Sequence, residues 1–153
     1  MAKSEKGVEK WVAKLPIEIK YKILGYMNKP QPRELLADII SYISSYRKCR
    51  HLYYSIYVEE WDESVEESMN WFANDLESFA NDHYPGVLGF REEFFEIWRR
   101  NFHMRTWSNG RIIQHISYLN GKPSSRYIGE FFPLLTPEER NLFLEGRLCN
   151  YIT

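Results

Sequence analysis

The chain has little of what chemistry on a protein usually requires. Only two of its 153 residues are cysteine, Cys49 and Cys149, and neither stands in a Cys-x-x-Cys pair or at metal-ligand spacing. Two lone thiols fit a reducing compartment, with a single disulfide between them the alternative. The eight glycines are scattered, so there is no phosphate-cradling loop, and neither a Gly-x-Ser-x-Gly elbow nor a His-Glu-x-x-His pair is present. No stretch of about 18 apolar residues exists to span a bilayer, and the N-terminal residues lack the apolar core of a signal peptide. A cytoplasmic location without membrane association is the expectation.

Histidine is sparse as well: His51, His83, His103 and His115. Carboxylates are abundant, yet acid–base catalysis needs two of them in distinct environments, and nothing singles out such a pair. A non-catalytic protein with no cofactor and no metal follows.

Negative charge is plentiful but uneven. Formal net charge is -1, yet residues 59–96 carry twelve Asp/Glu against one basic residue, Arg91, whereas residues 1–50 carry eleven Lys/Arg against five acids. Phosphates would be repelled by the middle of the chain, which argues against nucleic acid as a partner. The basic-aromatic stretches Arg47–Tyr54 and Trp98–Phe102 read more simply as amphipathic helix faces than as stacking platforms. The acidic block reads as the solvated side of a helix or as a surface for a basic partner.

Aromatics are in excess: five Trp, eleven Tyr and nine Phe, 16% of the chain. Each ring can bury roughly 150–250 Å², so a core is well supplied. Residues 1–13 read as a flexible tail. Apolar spacing predicts a helix within residues 8–28, a second over 32–46 with Leu35, Leu36, Ile39, Ile40 and Ile43 as the buried face, and a third over 47–58, where the Tyr and Ile content also suits a strand. A fourth, with Trp61, Val65, Met69, Phe72, Leu76 and Phe79, opens on a Ser64/Glu67 capping box. Phe94, Phe95, Ile97 and Trp98 belong to a short fifth helix. Thr136-Pro137-Glu138-Glu139 starts a last one with N-cap, N1 proline and N3 glutamate in order.

Between these, residues 102–108, Asn109-Gly110 and 111–119 read as a β-hairpin, because Asn-Gly suits a type I′ turn. Trp107, Ile112 and Ile116 would share its buried face, with His103 and His115 on opposite faces. A second Asn-Gly, Asn120-Gly121, suggests a third, edge strand to about Ile128. The expected fold is mainly α, about six helices, with a small antiparallel hairpin or three-stranded sheet near the C-terminus. Residues 14–100 would form the helical domain, and 101–153 the hairpin plus the C-terminal helix packed on it.

Residues 14–57 resemble an F-box. Leu15-Pro16-Ile17-Glu18-Ile19, the pair Ile23-Leu24 and Met27 occupy the places of that family's Leu-Pro-x-Glu start and following aliphatic positions. Pro30, Pro32, Leu35 and Leu36 match its proline break and Leu-Leu helix, and Arg47-Lys48-Cys49-Arg50 its later basic stretch. The resemblance implies docking on a Skp-type linker of a ubiquitin ligase through Leu15, Pro16, Ile19, Ile23, Leu24 and Met27. The same residues also make an ordinary first core helix.

Residues 102–122 resemble one MORN-like unit. Gly110 and Gly121 stand eleven apart, each after Asn, and Tyr118 lies three before the second. Two unrelated tight turns would give the same pattern. The two resemblances together are similar to proteins of large DNA viruses of protists. A protein-interaction adaptor is the leading functional expectation. A small structural or assembly component of a virus particle, packed against virion proteins through aromatic-rich faces, is the alternative.

Overall fold

The computed structural model describes residues 15–27 and 31–151, with the side chains of Ile23, Leu24, Tyr26, Met27 and residues 148–151 outside the description. The expected tail, residues 1–13, also lies outside it. Seven α-helices follow one another among the described residues: α1 Ile17–Met27, α2 Arg33–Tyr53, α3 Val65–Ala80, α4 Glu92–Arg99, α5 Asn109–Asn120, α6 Ser124–Phe131 and α7 Pro137–Tyr151. A π-helical segment, Tyr54–Glu60, extends α2, so the two helices expected over 32–46 and 47–58 are one continuous element. The chain divides into two units, Met1–Leu36 and Ala37–Thr153. The division falls one turn inside α2.

The second unit holds one core. It draws Tyr53, Phe72 and Phe94 from before residue 100, and Ile112, Phe131 and Phe143 from after it. Phe72, fully buried, is its hub: its ring lies 4.9 Å from Tyr53, 5.7 Å from Phe132, 5.9 Å from Phe143 and 6.3 Å from Tyr46. A second group joins Phe94, Trp98, Tyr127 and Phe131, with Trp98 and Phe131 4.8 Å apart. Offset and edge-on ring pairs of this kind add about 0.5–1.5 kcal/mol each to the area they bury.

Helix boundaries are set by local chemistry. Ser64 Oγ accepts from the Glu67 N–H at 3.2 Å, while Glu67 Oε2 accepts from the Ser64 N–H at 2.9 Å. Thr136 and Glu139 repeat this reciprocal box at 3.2 and 2.8 Å at the start of α7. Each box satisfies two N–H groups that a helix start would otherwise leave open. Asn81, buried, ends α3 and organises the loop beyond it. Its Nδ2 donates to the carbonyls of Tyr84 and Gly89, and its Oδ1 accepts from the Arg91 N–H at 2.8 Å.

The expected hairpin and third strand are absent; no strand occurs among the described residues. Residues 101–106 are successive turns, in which the N–H of Met104 donates to Asn101 and that of Trp107 to Met104, both at 2.9 Å, leaving no ladder to form. Asn109 and Gly110 are the first two residues of α5, capped by Ser108, whose Oγ accepts from the Arg111 N–H. Neither has the positive φ that a type I′ turn demands; among described glycines only Gly89 does. The proposed edge strand is α6. Ile112 and Ile116, four apart, fit a strand face and a helix face equally, but buried Leu119 completes a 3.6-residue stripe that alternation cannot produce. Trp107, Ile112 and Ile116 do turn inward, so the inward-facing residues were right and the secondary structure was wrong.

Arg140 of α7 is fully buried and pairs through Nη2 with Asp38 of α2, while its Nε and Nη1 have no hydrogen-bond partner among the described residues.

Two predictions follow from these contacts. Gly110→Ala raises stability by roughly 0.4–1 kcal/mol in urea unfolding because the site is helical and open; a hairpin turn there would be destabilised instead. Asp38→Ala leaves a buried cation without its counter-charge and lowers stability by about 3 kcal/mol, the low end for a buried pair because Asp38 itself is half exposed, whereas Arg140→Met, which removes the charge itself, lowers it less.

Candidate functional site

The first unit carries the opening of the F-box-like segment, and the rest of it, from Ala37 on, belongs to the second unit. The Pro16 carbonyl accepts from the N–H of Ile19 at 3.0 Å and of Lys20 at 3.1 Å, so the proline opens α1. Leu15 is half-buried, and Pro16, Ile17 and Ile19 are exposed. Ile23, Leu24 and Met27 belong to the α1 backbone, and their side chains lie outside the description. Leu35 and Leu36, in the first turn of α2, are also exposed.

In the second unit, Ile39, Ile40 and Ile43 of α2 are exposed by 41–67%. The sequence placed these residues, with Leu35 and Leu36, on the buried face. The inward face is instead Tyr42, Ser45, Tyr46, Cys49 and Tyr53, which repeats at the same helical spacing. Two stripes compete on this helix, and the less aliphatic one wins because its rings stack on the core: Tyr46 lies 6.0 Å from Phe132 and Tyr53 lies 4.9 Å from Phe72. The outward aliphatic residues form the kind of exposed apolar face that marks a contact site.

Polar groups elsewhere are mostly paired. His115 Nε2 lies 2.9 Å from Glu130 Oε2, with its ring edge-on to Trp98 and Trp107. His103 is exposed, beside Phe102. Burial pushes the Cys49 thiol up to about 12, which removes it as a nucleophile near neutral pH. No group of three or more His, Cys, Asp or Glu side chains is placed to hold a metal ion among the described residues. No described helix is long and apolar enough to cross a membrane.

One polar cleft breaks this pattern. It lies between α3, the end of α5 and the start of α6, with a volume of about 370 Å³, and is lined by Asn70, Asn74, Glu77, Asn120, Ser124 and Tyr127 among others. Ser124 Oγ donates to Asn70 Oδ1 at 2.5 Å, closing one end. Among the described residues the side chain of half-buried Glu77 makes one hydrogen bond, with the Tyr127 hydroxyl 3.5 Å from its Oε2. Burial raises the Glu77 carboxyl above its usual range, partly offset by that hydroxyl. Sequence reading missed this cleft because its walls come from three helices whose lining residues carry no common motif.

Comparison of the chain with protein-family models, curated proteins and solved structures finds no match.

Glu77 gives a pH prediction. Its folded pKa lies above the unfolded one, so folding takes up a proton. Its contribution to stability is complete below the unfolded value and is lost as pH rises through the raised folded value. Glu77→Gln is therefore more stable than the parent at pH 7, and the two converge below about pH 4 in paired urea titrations.

Proposed function

We propose that this chain is a protein-interaction adaptor that binds rather than catalyses, working in the cytoplasm. The observation that carries this reading is the exposure of large aliphatic side chains: Ile17, Ile19, Leu35 and Leu36 in the first unit, and Ile39, Ile40 and Ile43 in the second. Aliphatic residues on helices are the usual anchors when one helical protein lies against another. The F-box-like pattern of Leu15, Pro16, Ile19, Ile23, Leu24 and Met27 adds a partner class, a Skp-type linker of a ubiquitin ligase.

A second reading is a structural component of a virus particle. It is favoured by exposed aromatics, with Phe102 76% and Trp61 57% accessible. Rings left in water at this level suit permanent burial against neighbouring subunits.

The test is co-purification with a Skp-type linker. Ile19→Asp and Ile40→Asp, both at exposed sites, leave the unfolding midpoint within about 0.5 kcal/mol of the parent and abolish capture. Absence of capture by the parent chain, together with a fixed copy number in particles, selects the structural reading.

A further inference from the structure

We propose that the cleft between α3, α5 and α6 is a binding site for an alkylammonium or guanidinium group. Its anchor is Glu77, which has no cation within ion-pair distance among the described residues. The other half-buried carboxylates are all engaged. Asp75 faces Arg147 at 2.9 Å, Glu130 faces His115 and Arg126, and Glu139 faces Arg100. Glu63 receives the Trp71 indole N–H at 3.2 Å. A carboxylate taken this far from water without a counter-charge is unfavourable, and a ligand cation would supply what the fold does not.

The rest of the cleft suits that cation. Asn74 and Asn120 also line it, and neither side chain is engaged in a hydrogen bond among the described residues, so their amide oxygens can serve as further acceptors. An ammonium has three N–H donors and a guanidinium five, all needing acceptors and none needing a donor. Ala73, Leu119 and the ring of Tyr127 give an apolar lining for an alkyl stem. Lys122 also lines the cleft, but its Nζ lies over the Tyr118 ring at 5.0 Å and forms no ion pair with Glu77 among the described residues. A smaller cleft of about 180 Å³ shares Asn74 and Glu77, extending the polar surface toward Asn81 and Tyr84. The surrounding block, with twelve acids to one base over residues 59–96, raises the local concentration of cations. An anion, by contrast, would meet Glu77.

Such a cation comes either from a Lys or Arg side chain of a partner or from a free small amine. Calorimetric titration of the purified full chain separates the two, using an N-terminally acetylated tri-lysine peptide, the same peptide with every lysine also Nε-acetylated, and spermidine. The parent chain is expected to bind tri-lysine or spermidine, and the acetylated peptide at least about tenfold more weakly, the scale of one lost charge-assisted contact. Binding of tri-lysine alone assigns the site to a partner chain; binding of spermidine alone assigns it to a free amine. Glu77→Gln loses the affinity by about tenfold or more while Glu93→Gln, at an exposed acid of the same block, retains it. Asn74→Ala, at an exposed position, weakens binding severalfold as an independent check. The proposal is overturned if neither amine binds, if the acetylated peptide binds as well as the free one, or if Glu93→Gln weakens binding as much as Glu77→Gln.

Discussion

The packing of Phe72 is the contact on which the second unit depends. Four rings, from α2, the turn after α6, and α7, meet this single side chain on α3. Remove it and α2 loses the reason to turn its tyrosines inward, and α7 loses the stack that seats Phe143. Truncation of a buried Phe commonly costs about 3–5 kcal/mol. That is a large share of what a domain of this size has to lose. Because the inward face of α2 is claimed by rings, its aliphatic residues are left outside. The candidate partner surface on α2 is thus the other side of the aromatic core's geometry.

How much of this was legible varied with the kind of signal. Both reciprocal caps, Ser64/Glu67 and Thr136/Glu139, were readable because they are local chemistry at fixed spacing. Phe94, Phe95, Ile97 and Trp98 were readable as part of a short helix, and all four are buried, opposite its charged Glu92, Glu93, Glu96 and Arg99. Asn109-Gly110 misled, because the dipeptide that favours a tight turn also follows a serine that caps a helix, and the cap prevailed. The F-box-like residues Leu15, Pro16 and Ile19 were legible as a helix start, and the backbone of α1 begins there. Ile39, Ile40 and Ile43 were misplaced because hydropathy ranks Ile above Tyr, whereas packing rewarded the larger ring area. Glu77 was invisible for a different reason. Its lack of a cation is a tertiary fact, fixed only when α3, α5 and α6 come together.

The acidic middle of the chain accordingly has two characters. Glu66 and Glu67 lie in water at the start of α3, where negative charge favours the helix dipole. Asp75 and Glu77 lie two residues apart on the same helix, yet one is neutralised by Arg147 and also accepts from the Tyr53 hydroxyl at 2.7 Å, while the other has no ion-pair partner among the described residues. One stretch of sequence thus supplies a solvated face, a structural ion pair and an open carboxylate.

Arg140 has a consequence for how the second unit comes apart. A guanidinium sealed from solvent cannot be exposed a little at a time. To reach water it must leave Asp38, the face of Tyr42 and the surrounding apolar wall together. The first turns of α7 should therefore resist fraying despite lying near a chain end. Their amide hydrogens would then exchange with solvent at the slow pace of whole-unit opening rather than by local fraying.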